Sequence, residues 1–445
     1  SGTPKAVLVP HRGLVNLTED KIRVCDIQPG DCVLQFFSFS FDGSVPEFVM
    51  TLAGGATLLV APSTELLPGR QLRQLLIDNR VSHITMTPSA LTALPTDEYP
   101  SLRMVLVGGE APSEELIEQW SPGRKFINAY GPTETTVNAS MVQCGNGHAT
   151  EATILPSTNK QLYVLDDELE LTPIGVAGEL HIGGIGLARG YHKQSALTAE
   201  RFIPNPFPPD ANRKYNVPLL YKTGDLACYL PDGRIRIVGR VDKQPKIRGY
   251  RIEVGEIEHV LEKHPKVRAA LVRVRKMPNG DQQLDSYGVP VGRDAMKESA
   301  IRDYLAEELP KFMLPSTFQW IEAIPLTKNG KLDVAALPLP QANHEADKIK
   351  PRTEAEERLA VIFAEVLTVS EIGVEDNFFD LGGHSLMATR LVSMVWDTFQ
   401  VEITVIDLFD APSIAELARR IEQKSHLSHL VNVVVDDGDR EEISL

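Results

Sequence analysis

The amino-acid sequence predicts an α/β fold in three parts: layered sheets first, a small α+β unit next, and a four-helix bundle last. Three observations carry that reading. "SHITMTPS" (82–89), "RMVLVGGEAPSEEL" (103–116) and "KFINAYGPTETT" (125–136) each run from a short apolar stretch into a Gly, Pro or Thr turn. Apolar strands alternating with helices imply a parallel sheet covered on both faces. From about residue 220 the texture turns antiparallel. In "YLPDGRIRIVGR" (229–240), Asp232-Gly233 supplies a hairpin turn while Ile235 and Ile237 alternate with arginines. Finally, 353–424 holds four helix-like segments, a size that suits a small bundle of its own.

Each element has a local reason. In 103–116, Pro112, Ser113, Glu114 and Glu115 form the first turn of a helix. Ligands collect at the carboxyl ends of parallel strands, so the polar turns of the first third mark a site. "KIRGYRIEVGEIEHVLEKH" (246–264) reads as strand, glycine turn and amphipathic helix. Prolines and mixed charge make 337–352 a linker, and the acidic 425–445 a solvated connector. Within the bundle, Ser413 stands at an N-cap with Glu416 at the capping-box position.

The bulk numbers narrow the class. A chain of 445 residues exceeds one ordinary core, so two or three domains are expected. With 42% apolar and 24% charged residues it has the composition of a soluble globular protein. A formal net charge of −15 repels nucleic acid and anionic membranes alike. No apolar run approaches the roughly 20 residues that span a bilayer, and no secretory n- and h-region opens the sequence. The expected compartment is the cytoplasm, where Cys25, Cys32, Cys144 and Cys228 are reduced core thiols without CxxC or His pairing.

"LGGHSL" (381–386) poses a chemical question. A glycine-flanked serine first evokes a hydrolase elbow, G-x-S-x-G, but Met387 stands where the strained turn needs a small residue. Ser385 therefore needs another role.

Seven strings supply it. "YGPTET" (130–135), "GELHIGGIGLARGY" (178–191), "YKTGD" (221–225), "GRVDKQPKIRGYRIEVGEIE" (239–258), "LPKFMLP" (309–315) and "LTKNGKLD" (326–333) resemble, in order and spacing, the adenylation domain of nonribosomal peptide synthetases. "DNFFDLGGHSL" (376–386) resembles the attachment motif of the peptidyl carrier protein that follows such domains. The resemblance implies an adenylate-forming large subdomain at 1–241 and a small C-terminal subdomain at 242–336. The linker 337–352 and the carrier 353–424 follow. It implies ATP and Mg²⁺, an amino acid activated as its adenylate, and transfer to a phosphopantetheine thiol. Both steps build charge on crowded oxygens, so fixed cations and dipoles are needed.

Residue roles follow from the same resemblance. Glu134 offers Mg²⁺ a hard oxygen, and Tyr130 stacks on adenine. Thr133, Lys5 and Arg240 complete the ATP site, and Asp225 takes the ribose hydroxyls. Lys331 bridges substrate carboxylate and α-phosphate, with Lys246 also reaching the ligand. Asp242 is the hinge about which the small subdomain turns. Asp42 in "FDGS" pairs with the substrate α-amino group, since a partly buried carboxylate needs such a cation. Gly43, Pro46, Thr85, Leu106, Gly108, Ala129, Val137 and Asn138 line the side-chain pocket. None of these is charged, so the substrate side chain is expected to be large and mostly apolar, such as tyrosine or phenylalanine. Thr85 or Asn138 holds one polar group.

Ser385 then becomes the attachment point of 4′-phosphopantetheine. A serine at a helix start sets the phosphodiester before free N–H groups and the positive helix end. Gly382 and Gly383 give the modifying enzyme close backbone access. His384 is the variant met before an ordinary condensation step. The implied partners are a phosphopantetheinyl transferase, neighbouring condensation domains and a small helper protein.

The pattern breaks at the start. "SGTPKAVLVPHRGLVNL" resembles only the tail of a phosphate loop ending at Lys5, and the glycine-rich part that normally precedes it is absent. Two rival readings stand beside the leading one: an acyl-CoA ligase of similar architecture, and a fragment that serves only as carrier or docking unit. A free CoA ligase has no use for the Ser385 bundle.

Overall fold

The computed structural model describes residues 5–96, 98–146, 152–207, 218–241, 246–247, 250–276, 282–292, 296–310, 313–325, 332–338, 349–367, 369, 372–379, 381, 383 and 385–424. The chain divides into two compact units, one of residues 1–66 and 71–256, the other of 67–70 and 257–445.

The first unit is built on two sheets. The larger contains β1 (Cys32–Leu34), β2 (Thr57–Leu59), β3 (His83–Met86), β4 (Met104–Gly108), β5 (Lys125–Tyr130) and β6 (Ser140–Cys144) in the order β2-β1-β3-β4-β5-β6. All neighbours are parallel except β5 and β6. β3 is buried along its length and β4 up to its last residue, as strands covered on both faces must be. On one face α3 (Arg70–Asp78), α4 (Pro88–Thr92) and α5 (Glu114–Trp120) pack Leu72, Leu91 and Trp120 against Ile84, Val105 and Phe126. On the other, α1 (His11–Cys25) and α2 (Ser44–Ala53) bring Cys25 and Met50 onto Met104, Leu106, Ile127 and Ala129. The three predicted strands of the first third are β3, β4 and β5. Thr87 caps α4 through Ala90 N–H, and Ser113 caps α5 through Leu116 N–H. Pro112 and Ser113 thus precede the helix whose first turn they were expected to form, because the Ser113 hydroxyl is spent on the cap.

The second sheet is antiparallel and starts earlier in the chain than the hairpin at 229–240 indicates. It contains β7 (Lys160–Leu165), β8 (Gly178–Gly184), β9 (Phe202–Pro204), β10 (Leu219–Tyr229) and β11 (Ile235–Arg240), with α6 (Ser195–Arg201) before β9. The order is β11-β10-β8-β7, with β9 on β10. Asp232-Gly233 falls at the β10–β11 turn, where Gly233 takes φ +82°. A short ribbon of β12 (Lys246–Ile247) and β13 (Tyr250–Arg251) follows.

Next come α7 (Val254–Lys263), β14 (Val267–Lys276), β15 (Gln282–Pro290), α8 (Glu298–Glu308) and β16 (Thr317–Trp320). β14–β15 are antiparallel and β15–β16 parallel. In the 246–264 segment the amphipathic helix forms as read: α7 buries Ile257, Val260 and Leu261 and exposes Glu262 and Lys263, with Glu256 and Glu258 half-buried. The glycine turn at Gly249 lies outside the described residues.

The terminal bundle, among the described residues, has four helices: α9 (Glu354–Leu367), α10 (Ser385–Phe399), α11 (Val405–Asp410) and α12 (414–424). Their shared core includes Leu359, Phe363, Phe378, Leu391, Leu408 and Leu417. The Ser413–Glu416 capping box forms as read, the hydroxyl and carboxylate bonding each other's backbone N–H at 3.3 Å. Thr404 and Asp407 cap α11 the same way. The four cysteines are free thiols, three of them buried.

Candidate functional site

The site grows from the carboxyl ends of β3, β4 and β5, where a parallel sheet leaves room for ligands. β5 ends at Tyr130, and the chain doubles back into β6 through residues 131–139. Gly131 makes that reversal possible, since a Cβ there would lie 2.5 Å from both Val137 O and Ala139 N. Ala139 N–H closes the loop on Tyr130 O at 2.7 Å. Inside it, Thr133–Thr135 form one 3₁₀ turn, and Thr136 and Val137 both take positive φ, +58° and +59°.

Glu134 is buried in this loop. The Tyr191 hydroxyl donates to Glu134 Oε1 at 2.6 Å, and Ala188 N–H donates to Glu134 O at 2.8 Å. Burial, and then the neighbouring Glu134 charge, holds the Tyr191 hydroxyl protonated far above the usual phenol range. The "GLARGY" string therefore serves the "PTET" string directly.

Asp42 lies in the turn that opens α2, and Thr133 Oγ1 donates to its Oδ2 at 2.5 Å. Burial raises the Asp42 carboxyl above the usual range and Glu134's charge adds to that, while the Thr133 bond acts the other way. Two acids close together in a buried setting can take a cation. Gly43 belongs here for packing, since a Cβ would meet the Phe41 ring at 2.7 Å and the Phe37 ring at 3.1 Å.

Asp225 on β10 is buried and doubly held. Tyr130 Oη donates to its Oδ2 at 2.5 Å, and the Arg240 guanidinium pairs with its Oδ1. Arg240 sits opposite it in the β10–β11 register. Burial, reinforced by the Asp225 charge, drives the Tyr130 hydroxyl well above its ordinary value. Five of the residues read from the motifs, Tyr130, Thr133, Glu134, Asp225 and Arg240, thus occur in three hydrogen-bonded groups, Asp42–Thr133, Tyr191–Glu134 and Tyr130–Asp225–Arg240, joined by the 130–134 segment. Lys5 pairs with Glu253 at 2.5 Å. The segment after it is held on the "ARGY" turn, with His192 N–H on Ala6 O and Leu8 N–H on Gly190 O.

Of the residues read as lining the side-chain pocket, Thr85, Leu106, Gly108 and Ala129 share one sheet face. Thr85 pairs in register with Leu106, and Gly108 with Ala129, on the face that α1 and α2 cover. Pro46 is buried in the first turn of α2. Thr85 Oγ1 and Asn138 Oδ1 are buried with no hydrogen-bond partner among the described residues. Val137, next to Asn138 in sequence, is half-buried. Unsatisfied polar atoms in an otherwise apolar lining are costly unless a ligand or water completes them.

Two further residues were not singled out from the sequence. Glu47, in α2, accepts Phe36 N–H and Phe37 N–H at 3.2 Å each, tying the helix to the segment that leads into Asp42. Burial raises its carboxyl well above the usual range, with Lys21 opposing. Its one visible sign is a lone charge in the otherwise uncharged "SVPEFVMTLA". Tyr191 had no sign beyond membership of a motif.

Lys331 and Asp242 lie outside the described residues, as do Gly382, His384, the 425–445 connector and most of the 337–352 linker. For Lys246 only the backbone is described, paired with Arg251 in β12–β13. Ser385 is the first residue of α10, a 15-residue helix. Gly383 has a packing reason as well: a Cβ would come within 2.4 Å of the Phe378 ring. Its smallness is a demand of the bundle core, in addition to anything an approaching enzyme needs.

Among the described residues no group of three His, Cys, Asp or Glu forms a metal cage. A Mg²⁺ that keeps waters and phosphate oxygens needs only one carboxylate such as Glu134. Also among the described residues, no helix is long and apolar enough to cross a membrane.

The AMP-binding enzyme family matches residues 1–192, the AMP-binding enzyme C-terminal domain 256–331, and the phosphopantetheine attachment site 357–421. Two polypeptides of the linear gramicidin synthase of Brevibacillus parabrevis are 45% and 46% identical to this chain, over 98% and 95% of its length. The chain spans 9% and 5% of those relatives' own lengths. Among solved structures, an NRPS protein containing adenylation and PCP domains, bound to a vinylsulfonamide inhibitor, superposes with TM-score 0.74. It is 26% identical, over 95% of this chain and 71% of that one.

Proposed function

Because the chain belongs to the AMP-binding enzymes of nonribosomal peptide synthetases, with a phosphopantetheine attachment domain behind the catalytic one, we propose that it activates an amino acid with ATP and loads it onto its own carrier. The observation that carries this is the Asp42–Thr133–Glu134 group beside the Tyr130–Asp225–Arg240 group, one suited to an ammonium and the other to a nucleoside.

In this reading Asp42 takes the substrate α-ammonium. Thr133 and Glu134 sit next to it, so the carboxylate of the amino acid and the phosphates of ATP meet at the 131–135 loop. Asp225, preorganised by Tyr130 and Arg240, accepts the ribose hydroxyls, and the Tyr130 ring stacks on the base. Glu134, oriented by Tyr191, holds Mg²⁺, which offsets charge on the phosphates. Lys331 supplies the cation for the developing α-phosphate charge, with Lys246 beside the ligand and Asp242 as hinge. Lys5 attends the phosphates. Ser385 tethers the phosphopantetheine that presents the acceptor thiol. The boundaries at 241, 336 and 352 belong to the same proposal.

The uncharged lining of Gly43, Pro46, Thr85, Leu106, Gly108, Ala129, Val137 and Asn138 favours a large, mostly apolar side chain, an aromatic one by preference. The unpartnered Thr85 Oγ1 and Asn138 Oδ1 supply one polar contact. A phosphopantetheinyl transferase, adjacent condensation domains and a small helper protein are the proposed partners, and the cytoplasm is the proposed compartment.

Amino-acid-dependent exchange of pyrophosphate into ATP tests the first half-reaction, screened over the common amino acids. Radiolabelled amino acid transferred to the holo-carrier, and absent from Ser385→Ala, tests the second. Exchange that ignores amino acids, or release of label to free CoA in preference to the carrier, would sink the proposal in favour of the acyl-CoA ligase reading.

A further inference from the structure

The loop that carries Val137 and Asn138 is strained, and a buried lysine brackets the strain. Thr136 and Val137 are consecutive β-branched residues at φ +58° and +59°. Asn138 N–H reaches back to Thr136 O at 2.7 Å, an i to i+2 bond that makes Val137 the centre of a γ-turn with positive φ. That turn is rare, and a non-glycine residue remains in it only where its surroundings over-determine it. Backbone bonds close the loop from both sides, Thr136 N–H on Thr133 O at 3.0 Å and Ala139 N–H on Tyr130 O at 2.7 Å. Thr136 Oγ1 donates to Gly186 O at 2.7 Å. Lys160 at the start of β7 adds two side-chain bonds, its Nζ donating to Thr135 O at 3.0 Å and to Asn138 O. Those two carbonyls lie immediately before and after the left-handed pair.

Lys160 is built into this position. It is 7% exposed, and its stem passes under Gly186, where a Cβ would come within 2.9 Å of Lys160 Cε and 2.8 Å of Thr135 O. No ion pair compensates it among the described residues. Burial pushes the amine down to about 7, yet a neutral amine still has two N–H donors, one for each carbonyl. Burying a lysine to bond two main-chain oxygens is costly. A site that merely needed filling has cheaper solutions in an aliphatic side chain.

We propose that Lys160 is a positioning residue for amino-acid selection: its amine clamps the Thr135 and Asn138 carbonyls, holds the Val137 γ-turn, and so fixes where Val137 and the unpartnered Asn138 Oδ1 stand in the substrate pocket. The proposal rests on the pocket reading above. Lys160 touches no substrate and acts through the loop.

The test uses the synthetase chain that carries these residues, with Lys160→Met to keep the stem and remove the donors, and Lys160→Gln to keep one donor should the first fold poorly. Amide hydrogen exchange across 136–139 is expected to accelerate at least about tenfold in Lys160→Met, as loss of buried hydrogen bonds implies. The KM for the preferred amino acid is expected to rise by at least about tenfold, with the KM for ATP within about twofold. Lys160→Gln should fall between. In a Val137→Gly background, where the positive φ is free of strain, the cost of Lys160→Met should shrink. Unchanged loop exchange, equal rises in both KM values, or the same cost in both backgrounds overturns the proposal. Asp42→Asn separates the two readings. If it raises the amino-acid KM and Lys160→Met does not, only the lysine's part falls; if neither does, the pocket reading itself has failed.

Discussion

At the scale of single residues, the chemistry turns on carboxylates kept in poor solvent until a partner arrives. Asp42 is the clearest. Burial, with Glu134 nearby, raises its folded pKa above the unfolded value. This group's contribution to stability is therefore fully present below the unfolded pKa and is lost as pH rises through the folded one. At neutral pH the ionised side chain is a liability that the Thr133 hydroxyl offsets in part and that, in the proposed function, the substrate ammonium relieves. Asp42→Asn is expected to raise the melting temperature while raising the amino-acid KM by about 10²-fold or more, the cost of a broken buried charge pair. Calorimetry and exchange kinetics on one preparation check both. In the wild type, amino-acid affinity should fall on acidification at a higher pH than an ordinary aspartate would give. Lys331→Ala is expected to slow exchange by about 10²–10³-fold, the usual worth of a preorganised transition-state charge, and an unchanged rate would remove that lysine from the reaction. Asp42, Glu134 and Asp225 were legible because each sits in a string whose spacing is distinctive. Glu47 and Tyr191 were not, because each acts on a group distant in sequence or on a backbone N–H, and neither partner leaves a mark on the local pattern.

At the scale of elements, packing decides where glycine is obligatory. Gly131 closes the 131–139 loop against Val137 O and Ala139 N. Gly131→Ala is expected to cost about 1–3 kcal/mol, as overpacking does, seen as a lower urea midpoint and lost exchange activity. Gly383→Ala drives a methyl into the Phe378 ring and should lower the melting temperature of the carrier bundle by a similar free energy. A melting curve unchanged from wild type would show that the start of α10 can relax. β3, β4 and β5 were readable from apolar runs ending in turns, since burial on both faces leaves a continuous signature. β7 and β8 were missed as the start of the antiparallel sheet. "KQLYVL" and "GELHIGG" are short and nearly all buried or half-buried, so no clean alternation survives to be read.

At the scale of the whole molecule, the proposed function places two chemistries on one chain: adenylation in the matches to 1–192 and 256–331, and a tether in the match to 357–421. A phosphopantetheinyl transferase with CoA is expected to add one phosphopantetheine mass to the wild type and none to Ser385→Ala. Intact-protein mass spectrometry reads the difference, and modification of the variant would move the tether elsewhere.

The amino-acid sequence by itself determined the family, the order of the parts and most of the chemical inventory, because motif residues must keep their identity and spacing to serve ATP, an amino acid and a prosthetic arm. Only the tertiary structure decided which of those residues meet. It put Thr133 on Asp42, Tyr130 and Arg240 on Asp225, Tyr191 on Glu134 and Lys160 under Asn138. Such contacts depend on sheet register and loop closure between distant segments, and a left-handed γ-turn at a valine has no local preference from which it could be foretold.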